Sequence, residues 1–203
     1  MMILHIDSSI QGEQSVSRKL TAAAVASLRR QQPDATVIYR DVVANPVPAL
    51  TLPAMLSMPA AQGAEPAEVA DRALGEEVLA EFLAADTIII GAPMYNFSIP
   101  AQLRAWIDRI IVAGRTFAYG EKGVEGLAAG KKVIVAISSG GVYAPATAMA
   151  AFDQNEPFLR TILGFIGIRD ITFIRAGGIA MGPEARAQAE ATALAEIETL
   201  KAA

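Results

Sequence analysis

Two rhythms of apolar residues alternate along the chain. Short, nearly unbroken aliphatic runs occur at Ile3–Asp7, Thr36–Arg40, Thr87–Gly91, Lys132–Ile137 and Ile171–Arg175. Runs of this length without a polar face read as strands covered on both sides, the habit of parallel sheets. Between them the apolar positions move to three- and four-residue spacing. Leu20, Ala23, Ala24, Ser27 and Leu28 follow it before Pro33; Val69, Leu74, Val78, Leu79 and Phe82 within Glu68–Ala85; Leu103, Trp106, Ile107 and Ile110 within Gln102–Val112. Helices are also expected over Pro157–Ile166 and Pro183–Leu200. Strands alternating with helices, five of each, predict an α/β fold: a doubly wound parallel sheet with helices on both faces, three layers deep.

Two stretches follow neither rhythm. Residues 42–65 are rich in Pro, Ala and Met and read as a long connection with a short helix near Leu52 to Met58, either functional or a plain connector or dimer contact. Gly114–Gly130 sets Phe117 and Tyr119 among charges and several glycines, which predicts a flap or a hairpin.

At 203 residues the chain is expected to be one domain over 1–203, large enough to bury a core without metals or disulfides. The absence of cysteine removes disulfides, thiolate metal sites and a catalytic thiol. The N-terminus lacks the basic region and long apolar segment of a secretory signal. No apolar run approaches the ~20 residues that cross a bilayer, so the expectation is a cytoplasmic protein without membrane contact. A net charge of −4 with no basic cluster argues against nucleic-acid binding.

Three predicted strands end in distinctive loops, and a strand order of 2-1-3-4-5 lays their carboxyl ends side by side around a switch point between strands one and three. The first, Ser9 through Ser15-Val16-Ser17, offers hydroxyls and the free N–H groups of a helix start, which suit a phosphate; the same serines also serve as an ordinary N-cap. Neither a Walker lysine nor Gly-x-Gly-x-x-Gly is present, and Arg18 reads as a solvated helix residue rather than a ligand. The second loop, Ala92-Pro93-Met94-Tyr95-Asn96-Phe97-Ser98-Ile99-Pro100, is pinned by proline at both ends. Tyr95 and Phe97 can pack on an aromatic ring system and Asn96 can donate and accept in one plane, or the three form a core aromatic cluster with a capping Asn. In the third, Ser138-Ser139-Gly140-Gly141, paired glycines permit positive φ and a close backbone approach to a flat ligand, or simply a turn. Phosphate recognition, aromatic stacking and close approach at one switch point together suit a flavin mononucleotide.

Missing residues narrow the chemistry further. Asp7-Ser8-Ser9 has the look of a serine-hydrolase nucleophile block on a related fold, but that chemistry needs a late histidine base. The single histidine is His5, inside strand one among apolar neighbours, where a packed structural role fits. A phospho-acceptor receiver domain wants an Asp ending strand three, where Gly91-Ala92-Pro93 stands. With no side chain suited to nucleophilic work, a cofactor is left to carry the chemistry.

These motifs, together with Asp41-Val42-Val43-Ala44-Asn45-Pro46, Glu125-Gly126-Leu127 and Leu163-Gly164-Phe165-Ile166-Gly167, resemble the FMN-dependent NADH-azoreductases, also described as FMN-dependent NADH:quinone oxidoreductases, over nearly the whole chain. The resemblance implies a flavodoxin-like homodimer with two active sites at its interface and FMN as bound prosthetic group. NADH, or NADPH, would reduce FMN at N5 in a ping-pong cycle that then reduces quinones or cleaves aromatic azo compounds, with no catalytic side chain and no metal. By the same carry-over Ser9, Ser15, Val16 and Ser17 would hold the phosphate; Met94, Tyr95, Asn96 and Phe97 the ribityl chain and isoalloxazine; and Ser138, Ser139, Gly140 and Gly141 the pyrimidine edge. Phe165 and Tyr119 look like pocket walls above the flavin. Ser139 stands where an arginine can occur in relatives, and losing a cation there would weaken stabilisation of the anionic reduced flavin. The competing reading is a flavodoxin-type one-electron carrier for a protein partner, against which the mixed surface charges speak.

Overall fold

The aliphatic runs become a parallel sheet. The computed structural model describes residues 1–55, 64–121, 123–145 and 147–202. In chain order the strands are β1 (Met2–Asp7), β2 (Thr36–Asp41), β3 (Thr87–Pro93), β4 (Phe117–Gly120), β5 (Gly123–Gly126), β6 (Lys132–Ser139) and β7 (Asp170–Gly177). The helices are α1 (Val16–Gln31), α2 (Leu52–Met55), α3 (Pro66–Ala84), α4 (Ala101–Ile110), α5 (Asn155–Phe165) and α6 (Pro183–Glu198). Among the described residues the main sheet has five strands, all parallel, in the order β2-β1-β3-β6-β7. This is the expected order, with β6 and β7 in the fourth and fifth places. Gly114–Gly130 supplies the two intervening strands as an antiparallel hairpin, with Phe117 opposite Gly126 and Tyr119 opposite Val124. The short helix expected over Leu52 to Met58 is seen as α2; residues 56–58 lie outside the described residues.

Side chains of each central strand point alternately to two apolar clusters. Ile88, Ile90 and Ala92 of β3 join Val133, Val135 and Ile137 of β6 against Phe82 of α3, Trp106 of α4 and Leu159 of α5. Ile89, with Ile3 of β1 and Ile134 of β6, joins Leu20 and Leu28 of α1 and Ile197 of α6. Burial on both faces explains why the strands carry aliphatic side chains at every position rather than at alternate ones.

The strands run further than the hydrophobic pattern indicated, and the reason is local. β3 continues through Pro93, which lacks an N–H for the ladder; pairing resumes at once as Met94 N–H donates to the Ser138 carbonyl at 2.8 Å. A proline is tolerated at a strand's end, where one ladder bond is all it removes. β6 likewise keeps Ser138 and Ser139 in register with Ala176 and Gly177 of β7, so these serines belong to the strand and not to the turn after it.

The hairpin crosses the corner between α5 and β7 by a contact of two glycine backbones. A Cβ on Gly126 would lie 2.1 Å from the Gly167 nitrogen, and Gly167 itself has φ +96°. Neither neighbour is a flexible side chain that could yield. Gly126→Ala is therefore expected to lower the stability of the protein by about 2–3 kcal/mol, in the range of core overpacking; an unchanged urea midpoint would show that the hairpin can lift off without cost.

Candidate functional site

At the carboxyl end of β1 the polar side chains are tied to neighbouring elements. Asp7 is buried, and its Oδ1 accepts from Thr21 Oγ1 at 2.8 Å while its Oδ2 accepts from Tyr39 OH at 3.1 Å. The His5 imidazole lies 3.5 Å from the same carboxylate and 4.9 Å from the Tyr39 ring, as part of a structural cluster. Ser8 Oγ donates to the Gly91 carbonyl at 2.6 Å and so stitches β1 to β3. Ser9, Ser15 and Ser17 are buried; Ser9 Oγ is 3.1 Å from Tyr95 OH and Ser15 Oγ is 3.1 Å from Ser17 Oγ. Ser15 caps α1, accepting from Arg18 N–H at 3.3 Å. The first-turn N–H groups of Val16 and Ser17 have no intrahelical acceptor, and the helix dipole adds partial positive charge there.

Arg18 is neither a solvated residue nor a free cation. Its side chain is 18% exposed and folds back over the loop: Nε and Nη2 donate to the Ser9 carbonyl at 3.2 and 2.8 Å, and Nη1 to Asp41 Oδ2 at 2.6 Å and to Tyr39 OH at 3.2 Å. Helical spacing placed Arg18 on an outward face but could not reveal the carbonyl and carboxylate waiting there. The hydrogen bond to Asp41 raises the guanidinium's affinity for its proton. Burial alone would push Asp41 upward, but Arg18 and the Ala44 and Val43 N–H groups outweigh it and hold the carboxyl below its ordinary range. Burial, then the charge and hydrogen bond of Asp7, push the Tyr39 phenol up to about 12.

The loop after β3 is a tight turn. Tyr95 and Ser98 exchange both backbone hydrogen bonds, Tyr95 N–H to Ser98 O at 2.9 Å and Ser98 N–H to Tyr95 O at 3.1 Å, and between them Asn96 and Phe97 have φ +50° and +69°. Two successive left-handed residues suit Gly or Asn; a bulky aromatic there is an outlier held by its surroundings. Gln154 N–H donates to the Phe97 carbonyl at 3.0 Å, and the ring packs against Phe152 and Tyr143 at 5.4 and 6.1 Å. Asn155 was not singled out by the sequence pattern. It is fully buried at the start of α5 and fixes the same corner by donating from Nδ2 to the Ala92 carbonyl at 3.2 Å. Tyr95 sends its hydroxyl to the first loop, so it joins the two loops.

At the third loop neither Gly140 nor Gly141 takes a positive φ. Space around both is tight: a Cβ would meet Ala180 Cβ at 3.3 Å and the Tyr143 ring at 3.2 Å, so a neighbouring side chain would have to give by a few tenths of an ångström. The carbonyls of Ser139, Gly140 and Gly141 accept from Ile179, Ala180 and Gly178 N–H, so what the turn has left for a ligand is N–H groups. Beside it lies a cavity of about 240 Å³ lined by Met94, Ser139, Val142, Tyr143, Asp153 and Arg175. Arg175, on β7 in register with Ile137, forms an ion pair with Glu156. It was outside the sequence motifs, yet it brings a guanidinium to the cavity that Ser139 lines.

The structure brings Ser9, Ser15, Val16, Ser17, Met94, Tyr95, Asn96, Phe97, Ser138, Ser139, Gly140 and Gly141 to one edge of the sheet. It does not bring Tyr119 and Phe165 there. Phe165 closes the 11-residue helix α5, about 15 Å from the end that touches β3; it packs on Phe117 at 4.8 Å, and Tyr119 beside it is 76% exposed.

A parallel sheet with its switch point between β1 and β3 and polar loops at that edge defines a flavodoxin-like protein, and a family profile described as flavodoxin-like fold matches residues 1–200. The chain is 53% identical over 207 residues, covering 100% of both chains, to an FMN-dependent NADH:quinone oxidoreductase of Sinorhizobium fredii (strain NBRC 101917 / NGR234). It therefore belongs to the family of FMN-dependent NADH:quinone oxidoreductases. Among solved structures it is similar to azoreductase AzrA, with TM-score 0.87, 26% identity and coverage of 98% of this chain and 97% of that one. It is also similar to an FMN-dependent NADH-azoreductase of Bacillus anthracis str. Ames Ancestor in complex with FMN, with TM-score 0.84, 26% identity and coverage of 98% and 96%.

Two expectations follow from this geometry. Phe97→Gly should cost the flavin-free protein less stability than Phe97→Ala, by about 1 kcal/mol, because alanine keeps the left-handed penalty; equal unfolding midpoints would mean the turn relaxes when the ring is gone. The neutral Tyr39 phenol is stabilised by the fold, so its contribution is complete below the ordinary tyrosine value of about 10. That contribution is lost as pH rises through about 12. A phenolate absorbance titration should show one late-ionising tyrosine that Tyr39→Phe removes, and a titration unaltered by that substitution would contradict the assignment.

Proposed function

We propose that this chain is an FMN-dependent oxidoreductase that uses NADH to reduce quinones to hydroquinones and to cleave aromatic azo compounds reductively. It acts as one flavodoxin-like FMN-binding domain over residues 1–203, with the two apolar clusters as the interfaces of a three-layer sandwich, in a cytoplasmic homodimer. The observation that carries the reading is the convergence of three loops from β1, β3 and β6 at one edge of the sheet, in a chain so close to an FMN-dependent quinone oxidoreductase.

The residues fit the cofactor part by part. Ser15 and Ser17 hydroxyls and the α1 N-terminus suit a phosphate dianion. The strained Asn96–Phe97 turn presents a rigid edge, and the Gly140 and Gly141 N–H groups suit the pyrimidine carbonyls. Bound FMN supplies hydride acceptance and release at N5, with donor and acceptor alternating as in a ping-pong cycle. The protein's part is to bind, orient and exclude water; none of the side chains at this edge is required as a nucleophile.

The position of the aromatics supports the dimer. Tyr119 and Phe165 face away from their own chain's loops, so as pocket walls they would serve the flavin of a second copy. Aromatic rings held over the flavin would favour flat quinones and azo dyes by stacking.

The purified protein should take up FMN, be bleached quickly by NADH, and turn over with benzoquinone or methyl red; NADPH run in parallel sets the donor preference. Failure to bind added FMN would sink the proposal, and FMN that binds but is not reduced by either nicotinamide would favour the one-electron carrier. Analytical ultracentrifugation should find a dimer, and a fully active monomer would contradict the interfacial site.

A further inference from the structure

The peptide unit joining Ser9 to Ile10 is held from both ends. Its carbonyl accepts two bonds from Arg18, and its N–H donates to Tyr95 OH at 3.3 Å. Carbonyl and N–H of a trans peptide point in opposite directions, so fixing one fixes the other, and the Ser9 side chain turns with them to meet the same Tyr95 hydroxyl. A carbonyl free to rotate could turn its lone pairs toward an incoming phosphate and repel it. Behind the loop lie two carboxylates, Asp7 and Asp41, the first 3.8 Å and the second 2.6 Å from Arg18 Nη1. The guanidinium is thus also the cation that offsets them.

We propose that Arg18 is a positioning residue for the phosphate subsite: it touches no ligand, but by clamping the Ser9 carbonyl and anchoring itself on Asp41 and Tyr39 it makes the chain select a phosphorylated flavin over riboflavin. This rests on the FMN reading above. Arginine is needed because only its planar fork can place two donors on one carbonyl and a third on a carboxylate; a lysine ammonium is a point charge without that reach.

The test is fluorescence titration of the flavin-free protein with FMN and, separately, with riboflavin, which has the same ring and ribityl chain without the phosphate. In Arg18→Met, FMN affinity should fall at least about tenfold while riboflavin affinity stays within about twofold of wild type. Arg18→Lys, which keeps the charge, should lose nearly as much, and adding Asp41→Asn to Arg18→Met should not restore binding. The ³¹P resonance of bound FMN should move in both single variants. Wild-type FMN affinity in Arg18→Met, or equal loss for the two flavins, overturns the proposal. Full retention in Arg18→Lys, or rescue by Asp41→Asn, overturns it in favour of charge alone. If Arg18→Met does not fold, as its flavin-free melting curve would reveal, Arg18→Lys decides by the same criteria. A wild-type protein that takes up no FMN would refute the cofactor reading itself, a result distinct from any of these.

Discussion

Everything at the candidate site depends on one constraint: β1 and β3 are adjacent and parallel, yet the helices that follow them leave toward opposite faces of the sheet. Leu20 and Leu28 of α1 pack into the cluster that holds Ile89 and Ile197. Leu103 and Trp106 of α4 pack into the one that holds Ile88 and Phe82. Two connections diverging from neighbouring strand ends cannot cover the edge between them, and a crevice remains. Because both faces of the sheet are closed by apolar side chains, that edge is where backbone donors can be left without protein partners at little cost.

The crevice needs a floor, and the floor is polar. A carboxylate as buried as Asp7 is expensive unless its lone pairs are occupied. Thr21 and Tyr39 occupy them, with Arg18 close enough to balance the charge. The room for this arrangement comes from the next strand: a Cβ on Gly91 would stand 3.1 Å from Asp7 Oδ1 and 3.3 Å from Thr21 Cγ2. Where a receiver aspartate would end strand three, Gly91 leaves room for the Asp7 carboxylate of the neighbouring strand. Asp7-Ser8-Ser9 is likewise consumed by structure, its aspartate on Thr21 and Tyr39 and its first serine on the β3 backbone.

The central strands β1, β3 and β6 were legible in the sequence because burial on both faces leaves an aliphatic run, whereas the edge strands β2 and β7, expected to be covered on both sides, are partly exposed; helix spacing is visible wherever one face is apolar. Strand ends were less so: Pro93 and Ser138 do not look like strand residues, and only the pairing of β3 with β6 carries the ladder past them. The three loops could be picked out by composition, but the use each makes of its residues could not. Arg18 looks solvated until β2 delivers Asp41 and Tyr39 beside it, a contact between positions 23 residues apart. Gly140 and Gly141 suggested backbone freedom, yet neither takes a positive φ, and both sit in tight contact with Ala180 and Tyr143. Arg175 and Asn155 act across strands, which no local pattern records. Tyr119 and Phe165 stand out as aromatic, yet no local pattern shows that they lie away from the three loops.

The turn at Asn96 and Phe97 is where local preference and observed conformation disagree most, and the disagreement is informative. Asn at positive φ is ordinary, but Phe97 at +69° gives up about 1–2 kcal/mol that glycine would not. The chain places an aromatic there regardless, then supports it with the Gln154 N–H and with Phe152 and Tyr143. A turn selected for its own stability would carry glycine at that position, so the ring is retained for what lies beyond it. Phe97 is 43% exposed, so its outer surface is not spent on the core. Strain kept in place by surrounding structure, beside an exposed ring, marks a turn whose shape is set by its neighbours and not by its own preference: the Tyr95–Ser98 backbone pair, the Gln154 N–H and the two flanking rings together hold the two left-handed residues where they are.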